Sequence, residues 1–255
     1  MILHDELRVV AEAFGVADTQ VRRDHLISHI LAAISTDLPE RVTFFGGTAL
    51  ARTLLPAGRL SEDIDLIATD PRLEAATLLE RSVPRRLART HGTLTWDPSP
   101  TATRGNQAAI VRTDDGLTVR IQLLGAVGYP AWPTQTASIH QRYTDAPPAR
   151  LRTLTPEAFV TAKTTAWMDR GAARDLYDLY LLARAGYITP AAGALFARIG
   201  PIRTTPPGWA FRAAPTLTEW RVQLAEQVRL TVGPEEALTT VREAWRVASA
   251  DRSVP

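Results

Sequence analysis

Two neighbouring stretches of the sequence decide the predicted fold. They are Phe44-Phe45-Gly46-Gly47-Thr48-Ala49-Leu50 and Leu60-Ser61-Glu62-Asp63-Ile64-Asp65-Leu66. Residues 42–45 are β-branched or aromatic, and helix formers at core spacing run from Thr48 to Leu55, so the pattern predicts a strand, a tight turn and a helix. The glycine pair lets the backbone turn without a Cβ clash. A helix entered through glycines presents unpaired N–H groups and its positive dipole end, which can hold a triphosphate.

A second predicted strand, Ile64 to Ala68, begins beside a pair of carboxylates. Because side chains alternate across a strand, Asp63 and Asp65 are expected on one face, while Ile64 and Leu66 face a core. Oxygen ligands on a rigid strand suit Mg²⁺, which keeps water and substrate phosphates in its other positions. A Gly-Gly pair alone is commonly a turn and an Asp-x-Asp pair alone a solvated strand edge, but together they predict an active site.

Composition limits the class of protein. The chain has 255 residues, of which 45% are hydrophobic, enough for one large domain or two small ones. It has no cysteine, which excludes disulfides, cysteine-type zinc sites and thiol catalysis. The first residues lack the pattern of a secretion signal, and no run approaches the ~18 apolar residues of a membrane span. We therefore expect a soluble cytoplasmic protein that does not bind membranes.

The basic residues are almost all arginine, and Lys163 is the only lysine. A GC-rich genome accounts for most of this bias, but arginine also suits phosphate contacts, so the net charge of +2 and the pI of 9.3 permit a nucleic-acid surface. In a predicted helix over 71–89, which Pro84 could break, four arginines would form one basic stripe. Such a stripe is usually a solvated face, and it is the best local candidate for contacting a phosphate backbone; its members are Arg81, Arg85, Arg86 and Arg89.

The histidines give little support to a second metal site. His25 and His29 are four residues apart in a predicted helix over 19–34 and could bind a metal together. The other histidines are scattered along the chain, and there is no His-Glu-x-x-His pattern. We therefore do not predict a histidine-ligated metal.

The remaining pattern predicts an α+β fold. Two strands, 108–113 and 117–124, are joined by Asp114-Asp115-Gly116, which indicates a hairpin. Residues 125–152 contain many breakers and are predicted to be irregular, with a domain boundary near Pro147. Helices are then expected over 155–170, 172–185, 190–199, 217–231 and 234–249. The prediction is a small mixed-sheet domain over 1–147 and a helical domain over 148–255.

The glycine motif and the motif from Arg59 to Leu66 together resemble the AbiEii family of nucleotidyltransferase toxins, which includes the MenT-like mycobacterial toxins and lies within the polymerase-β nucleotidyltransferase superfamily. Toxins of this type also carry a lysine on one helix and an Arg-Asp-x-x-Asp motif on the next. Lys163 and the segment Arg174 to Asp178 match this second pattern in order and spacing. The chain departs from the superfamily at Arg120 and Gln122, where relatives usually carry a third metal-binding carboxylate.

The resemblance implies transfer of a nucleoside monophosphate from an NTP to an acceptor hydroxyl, most often the tRNA 3′ end, by a toxin with a cognate antitoxin. The residues implied as catalytic are Asp63, Asp65, Lys163 and Asp175, with Asp63 and Asp65 binding Mg²⁺. Those implied to bind substrate are Gly46, Gly47, Thr48, Ser61, Arg174 and Asp178. Two other functions stay open: transfer to a small molecule such as an antibiotic, and, given Gln122, non-catalytic binding of nucleotide or RNA.

Overall fold

A computed structural model of the protein describes residues 2–250, which fall into two compact units. The first unit runs to Tyr129 and resumes over Thr134–Thr153. The second contains Pro130–Pro133 and the chain from Leu154 onward. Between residues 2 and 250, no helix combines the length and the apolar character needed to cross a bilayer.

The first unit is built on a seven-stranded mixed sheet, which confirms the predicted α+β class. Its strands are β1 (Val42–Phe45), β2 (Asp63–Ala68), β3 (Leu94–Trp96), β4 (Ala109–Thr113), β5 (Thr118–Leu124), β6 (Thr134–Ile139) and β7 (Ala149–Leu154). They lie in the order β3-β4-β5-β2-β1-β7-β6. At the centre, β2 pairs antiparallel with β1 and parallel with β5. The hairpin of β4 and β5 is the one predicted from the Asp-Asp-Gly turn.

Four helices belong to this unit: α1 (His4–Phe14), α2 (Asp18–Asp37), α3 (Gly46–Arg52) and α4 (Arg72–His91). The predicted break in α4 at Pro84 is wrong, since the helix continues through the proline. A proline provides no N–H for the carbonyl four residues earlier, here that of Glu80. That carbonyl instead accepts a hydrogen bond from the indole N–H of Trp96 at 3.1 Å. The strand β3 thus satisfies the group that Pro84 leaves open.

The basic stripe on α4 is partly neutralised. All four arginines are exposed, as predicted for one face of a continuous helix. Arg85 and Arg86, however, both bind the carboxylate of Asp37 at the end of α2, at 2.8 and 2.5 Å. Hydrogen bonding, above all from Arg86, holds the pKa of Asp37 well below its usual range, so this carboxylate stays ionised.

The prediction of an irregular segment over 125–152 is wrong, because β6 and β7 lie in it. Strand β7 pairs parallel with β1, a partner more than a hundred residues earlier. Its inward positions include alanine and threonine as well as leucine, so the period-2 signal in the sequence is weak. Strand β6 is mostly exposed and carries no apolar alternation. Pairing of β7 keeps the chain in the first unit as far as Thr153, beyond the boundary expected near Pro147.

The second unit is helical: α5 (Pro156–Arg170), α6 (Ala173–Arg184), α7 (Pro190–Ile199), α8 (Leu217–Leu224) and α9 (Pro234–Ala250). The side chains of Thr155 and Thr189 cap α5 and α7 by accepting hydrogen bonds from backbone N–H groups, as the Thr-Pro pairs predict. Helix α8 ends at Leu224, well before the predicted end at residue 231. The expected loop over 203–215 contains a short 3₁₀ helix that buries Phe211.

A buried ion cluster joins α2, α3 and the segment after β6. Arg52 is 1% exposed and donates to the Asp24 carboxylate at 2.8 Å and to the His140 carbonyl at 2.9 Å. The second Asp24 oxygen accepts a hydrogen bond from Tyr143 at 2.9 Å and lies 3.6 Å from the guanidinium of Arg142. Burial lowers the pKa of Arg52 to about 10, against the opposing effect of Asp24, so Arg52 is still charged at neutral pH.

Replacing Arg52 with methionine should destabilise the first unit strongly. The change leaves the Asp24 carboxylate buried without its main partner, which typically costs about 3–5 kcal/mol of unfolding free energy. Arg8→Met is the matched control, because Arg8 makes only exposed ion pairs, at 3.9 and 3.8 Å, and such pairs contribute at most about 1 kcal/mol. Urea denaturation of the full chain measures both. Equal unfolding midpoints for the two variants would contradict the assignment.

Candidate active site

The glycine turn is packed directly against the acidic strand. Helix α3 begins at Gly46, immediately after β1 and two residues before the predicted start. Gly46 has a φ of +78°, and a Cβ at this position would overlap the carboxylate of Asp65. A Cβ on Gly47 would lie 2.6 Å from Nη2 of Arg59 and 3.2 Å from Oγ of Ser61. The left-handed backbone and the close approach of Asp65 both favour glycine at position 46, whereas the atoms close to Gly47 are the ends of the Arg59 and Ser61 side chains.

The two carboxylates lie on one face of β2, as the alternation predicts. Ile64 and Leu66 are fully buried, whereas Asp63 and Asp65 are half-buried. Asp65 pairs in register with Phe45 of β1, which places its side chain beside the start of α3. The two aspartates line a small cavity of about 70 Å³ together with Ala108, Arg120 and Gln122.

The neighbouring strand, β5, places a cation and an amide opposite the two carboxylates. Arg120 lies opposite Asp63, and its Nε is 3.7 Å from Oδ1 of Asp63. Gln122 lies opposite Asp65, and its amide donates to the carbonyl of Asn106 at 2.6 Å. Two carboxylates beside a small polar cavity fit a hard divalent cation with oxygen ligands. Arg120 supplies additional positive charge at this position.

The residues around the carboxylates fix their positions. Thr48 is 1% exposed, and its hydroxyl donates to the backbone carbonyl of Asp63, so this side chain joins α3 to β2. Glu62 accepts a hydrogen bond from Arg23 at 2.9 Å, and Arg23 also donates to the carbonyl of Thr118 at the start of β5. Of three consecutive residues, Ser61 thus lies beside Gly47, Glu62 binds Arg23 and Asp63 lines the cavity.

A second cluster of predicted site residues lies within the helical unit. The ammonium of Lys163 on α5 is 3.2 Å from Oδ1 of Asp175 and 2.6 Å from Oδ2 of Asp178, both on α6. Arg170 completes the cluster with two hydrogen bonds to Asp175, at 2.7 and 3.0 Å. Two cations thus face two carboxylates, and the side chains of Lys163, Asp175 and Asp178 are 9% exposed or less. Arg174, from the same motif, lies on α6 and is partly exposed.

The structure shows neighbours that the sequence alone did not. Lys163 is buried, and Asp178 is buried and bound to Lys163. The sequence also gave no role to Arg59 or Arg170. Arg170 lies five residues before Asp175 across the α5–α6 turn, a spacing that could have suggested a local ion pair.

Residues 29–249 match the family model described as nucleotidyl transferase AbiEii toxin of type IV toxin–antitoxin systems. The chain belongs to the AbiEii toxin family. This confirms the resemblance seen in the glycine and aspartate motifs, and identifies a nucleotidyltransferase toxin, whose family works with an antitoxin.

Solved structures share the fold of this AbiEii protein. MenT4, a nucleotidyltransferase toxin from Mycobacterium tuberculosis H37Rv, has a TM-score of 0.69 at 20% identity, covering 98% of this chain and 90% of its own. JHP933 from Helicobacter pylori has a TM-score of 0.59 at 14% identity, covering 92% of this chain and 94% of its own. A putative nucleotidyltransferase from H. pylori has a TM-score of 0.57 at 15% identity, with 92% and 97% coverage. No curated protein matches the sequence.

Gly46→Ala tests the close approach of Asp65. A left-handed residue with a Cβ costs about 1–2 kcal/mol wherever it occurs. Gly116→Ala is the matched control, because Gly116 has a similar φ of +85° but no atom within 4 Å of the added Cβ. Both variants should lose similar stability from backbone strain, while only Gly46→Ala displaces Asp65 and loses nucleotidyl transfer. Thermal unfolding and a labelled-NTP assay measure the two effects, and full activity in Gly46→Ala would refute the packing argument.

Lys163→Met tests the buried cluster. The variant leaves Asp178 buried without its ammonium partner, and we expect a loss of about 3–5 kcal/mol in unfolding free energy. Arg246→Met serves as control, since Arg246 and Glu243 form an exposed pair on α9 at 2.6 Å, and exposed pairs contribute little to stability. Urea unfolding followed by tryptophan fluorescence reports on the helical unit. A stable Lys163→Met protein would show that the cluster does not hold α5 to α6.

Proposed function

We propose that this toxin transfers a nucleoside monophosphate from an NTP to an acceptor hydroxyl and releases pyrophosphate, with Mg²⁺ bound by Asp63 and Asp65. The observation that carries the proposal is the packing of the carboxylate pair against the glycine turn, with Asp65 in contact with Gly46. Phosphoryl-type transfer depends mainly on positioning and charge neutralisation. A turn with backbone N–H groups and an acidic cation site side by side would supply both.

In the first unit, each residue would have a distinct part. Bound Mg²⁺ would neutralise phosphate charge and help to orient the NTP. The backbone of Gly46 and Gly47 would bind the triphosphate, and the hydroxyl of Ser61, which lies beside Gly47, would donate to a phosphate oxygen. Thr48 would act by holding the backbone of Asp63 in place. The ion pair of Arg120 with Asp63 favours one bound metal over two, since a cation stands where a further carboxylate ligand is usual.

In the second unit, we assign charge neutralisation to Lys163. Its ammonium would supply the positive charge that the family resemblance assigns to the lysine of this helix. Asp175 and Asp178 both bind this ammonium. Their part would therefore be to hold it in position, not to act as general bases. Arg174, partly exposed on the same helix, would contact substrate phosphate.

The acceptor we propose is the 3′ end of tRNA, and the regulator a cognate antitoxin protein. Support for tRNA comes from the family resemblance and from an arginine-rich chain that suits a phosphate backbone. Modification of the tRNA 3′ end would block aminoacylation and stop translation. We propose the cytoplasm as the place of action, because NTP and tRNA are found there.

Incubation of the full chain with Mg²⁺, each labelled NTP in turn and total tRNA tests the proposal. We expect label on tRNA, and loss of transfer to background in Asp63→Asn and Asp65→Asn. Glu62→Gln is the matched control from the same motif, because Glu62 binds Arg23 and does not line the cavity; it should retain activity. Gel analysis with and without removal of the tRNA 3′ terminus locates the label.

The outcomes separate the parts of the proposal. Transfer to a small hydroxyl compound but not to tRNA would refute the acceptor. If neither tRNA nor a small compound becomes labelled while NTP still binds, the protein is a non-catalytic binding module. Unchanged Mg²⁺-dependent transfer in Asp63→Asn and Asp65→Asn would remove their metal role.

A further inference from the structure

Three histidines that are far apart in sequence meet in the first unit. His25 and His29 lie one turn apart on α2, and His91 is the last residue of α4. One ring nitrogen from each lies within 4.8 Å of the others, and His25 and His29 are each 4% exposed. The expectation that the other histidines are scattered is therefore wrong for His91, because packing of α4 on α2 brings it to the pair.

Hydrogen bonds fix the tautomer of one of these rings. Nε2 of His25 lies 3.0 and 3.2 Å from the oxygens of Asp145, and an ionised carboxylate only accepts, so Nε2 is protonated and Nδ1 has the lone pair. The hydroxyl of Thr90 lies 3.2 Å from the carbonyl of Leu87 and 2.9 Å from Nδ1 of His91. When this hydroxyl donates to Leu87, its oxygen accepts from Nδ1 of His91, and Nε2 of His91 has a lone pair.

One nitrogen of His91 lies close to one of His25, since Nε2 of His91 is 3.2 Å from Nδ1 of His25. A metal ion bound at this position would take a lone pair from each ring, because imidazole binds metals in its neutral form.

The third ring has an unsatisfied nitrogen. Nε2 of His29 is buried and makes no hydrogen bond of good geometry within residues 2–250. It has only a long contact, of 3.5 Å, with Oδ1 of Asp145, the carboxylate that binds His25. Binding a cation would give this buried nitrogen a closer partner.

We propose that His25, His29 and His91 bind a divalent transition-metal ion of the zinc type, with Asp145 orienting His25. Zinc–nitrogen bonds of about 2.0–2.1 Å place tetrahedral ligand nitrogens about 3.4 Å apart, close to the separation between His25 and His91. A carboxylate behind a ligating imidazole is the usual means of fixing its tautomer. Imidazole nitrogens favour zinc over Mg²⁺, so this site differs in chemistry from the pair Asp63 and Asp65.

The bound ion would connect α2, α4 and the loop that carries Asp145. A cavity of about 320 Å³ adjoins His25 and His91 and leaves room for a water or other fourth ligand. Because the ligands come from separate elements, a metal would bind the folded unit and not the unfolded chain, and would stabilise it by mass action. The role is structural and independent of the proposed transfer reaction.

Titration of the untagged full chain with Co²⁺, in excess Mg²⁺ to occupy the carboxylate sites, tests the proposal. We expect one equivalent to give the intense visible absorption of tetrahedral cobalt, to be displaced by Zn²⁺, and Zn²⁺ to raise the unfolding temperature. His29→Gln and His91→Gln should abolish the absorption, and Asp145→Asn should weaken binding about 10–100-fold. His140→Gln is the control, because His140 is exposed and outside the cluster.

Several results would overturn the site. The first is tetrahedral absorption that persists in His91→Gln. The second is a wild type that shows only the weak absorption of six-coordinate cobalt. The third is a loss of absorption in His140→Gln as large as that in His91→Gln. If His29→Gln does not fold, His91→Gln decides, since His91 is only partly buried at the end of α4.

Discussion

The buried charge of Asp24 joins three parts of the first unit: α2, α3 and the segment after β6. It is buried in α2, and the structure satisfies it with Arg52 from the end of α3 and with Tyr143 and Arg142 from the segment after β6. Helix α3 follows β1 without an intervening loop, so fixing its last residue also fixes the direction in which its first residue leaves the sheet. The contact between Gly46 and the acidic strand therefore depends on an ion pair at the opposite end of the helix.

Local patterns were sufficient to predict the acidic half of the site. The glycine turn, the alternation around Asp63 and Asp65, and the Asp-Asp-Gly hairpin can each be recognised in a few consecutive residues of the sequence, and the structure has all three. Strand β7 could not be predicted in this way, because its stabilising partner β1 is distant in sequence and the pairing is parallel. The break predicted at Pro84 was wrong for a related reason. The indole N–H that binds the free carbonyl of Glu80 comes from Trp96 of β3, which is distant in the sequence.

Tertiary neighbours explain the residues that the sequence left without a role. The position of Arg59 became informative only when the structure placed it against Gly47. That of Arg170 became informative only when the structure showed that Asp175 is buried. In both places an arginine sits beside a motif residue, but the composition contains so many arginines that the type alone carries little information. The solitary Lys163 was easier to single out, and its burial between two carboxylates shows a position where a compact ammonium fits.

The carboxylate of Asp37 has a consequence for how α4 could meet a polyanion. When an arginine binds a nucleic-acid phosphate, condensed counterions are released, and the number of such contacts sets how steeply affinity falls with salt. Arg85 and Arg86 already have an anion in Asp37, so a phosphate would have to compete with it for them. An RNA lying along α4 would thus exchange one anion for another at these two residues, and the entropy of ion release would come mainly from Arg81 and Arg89.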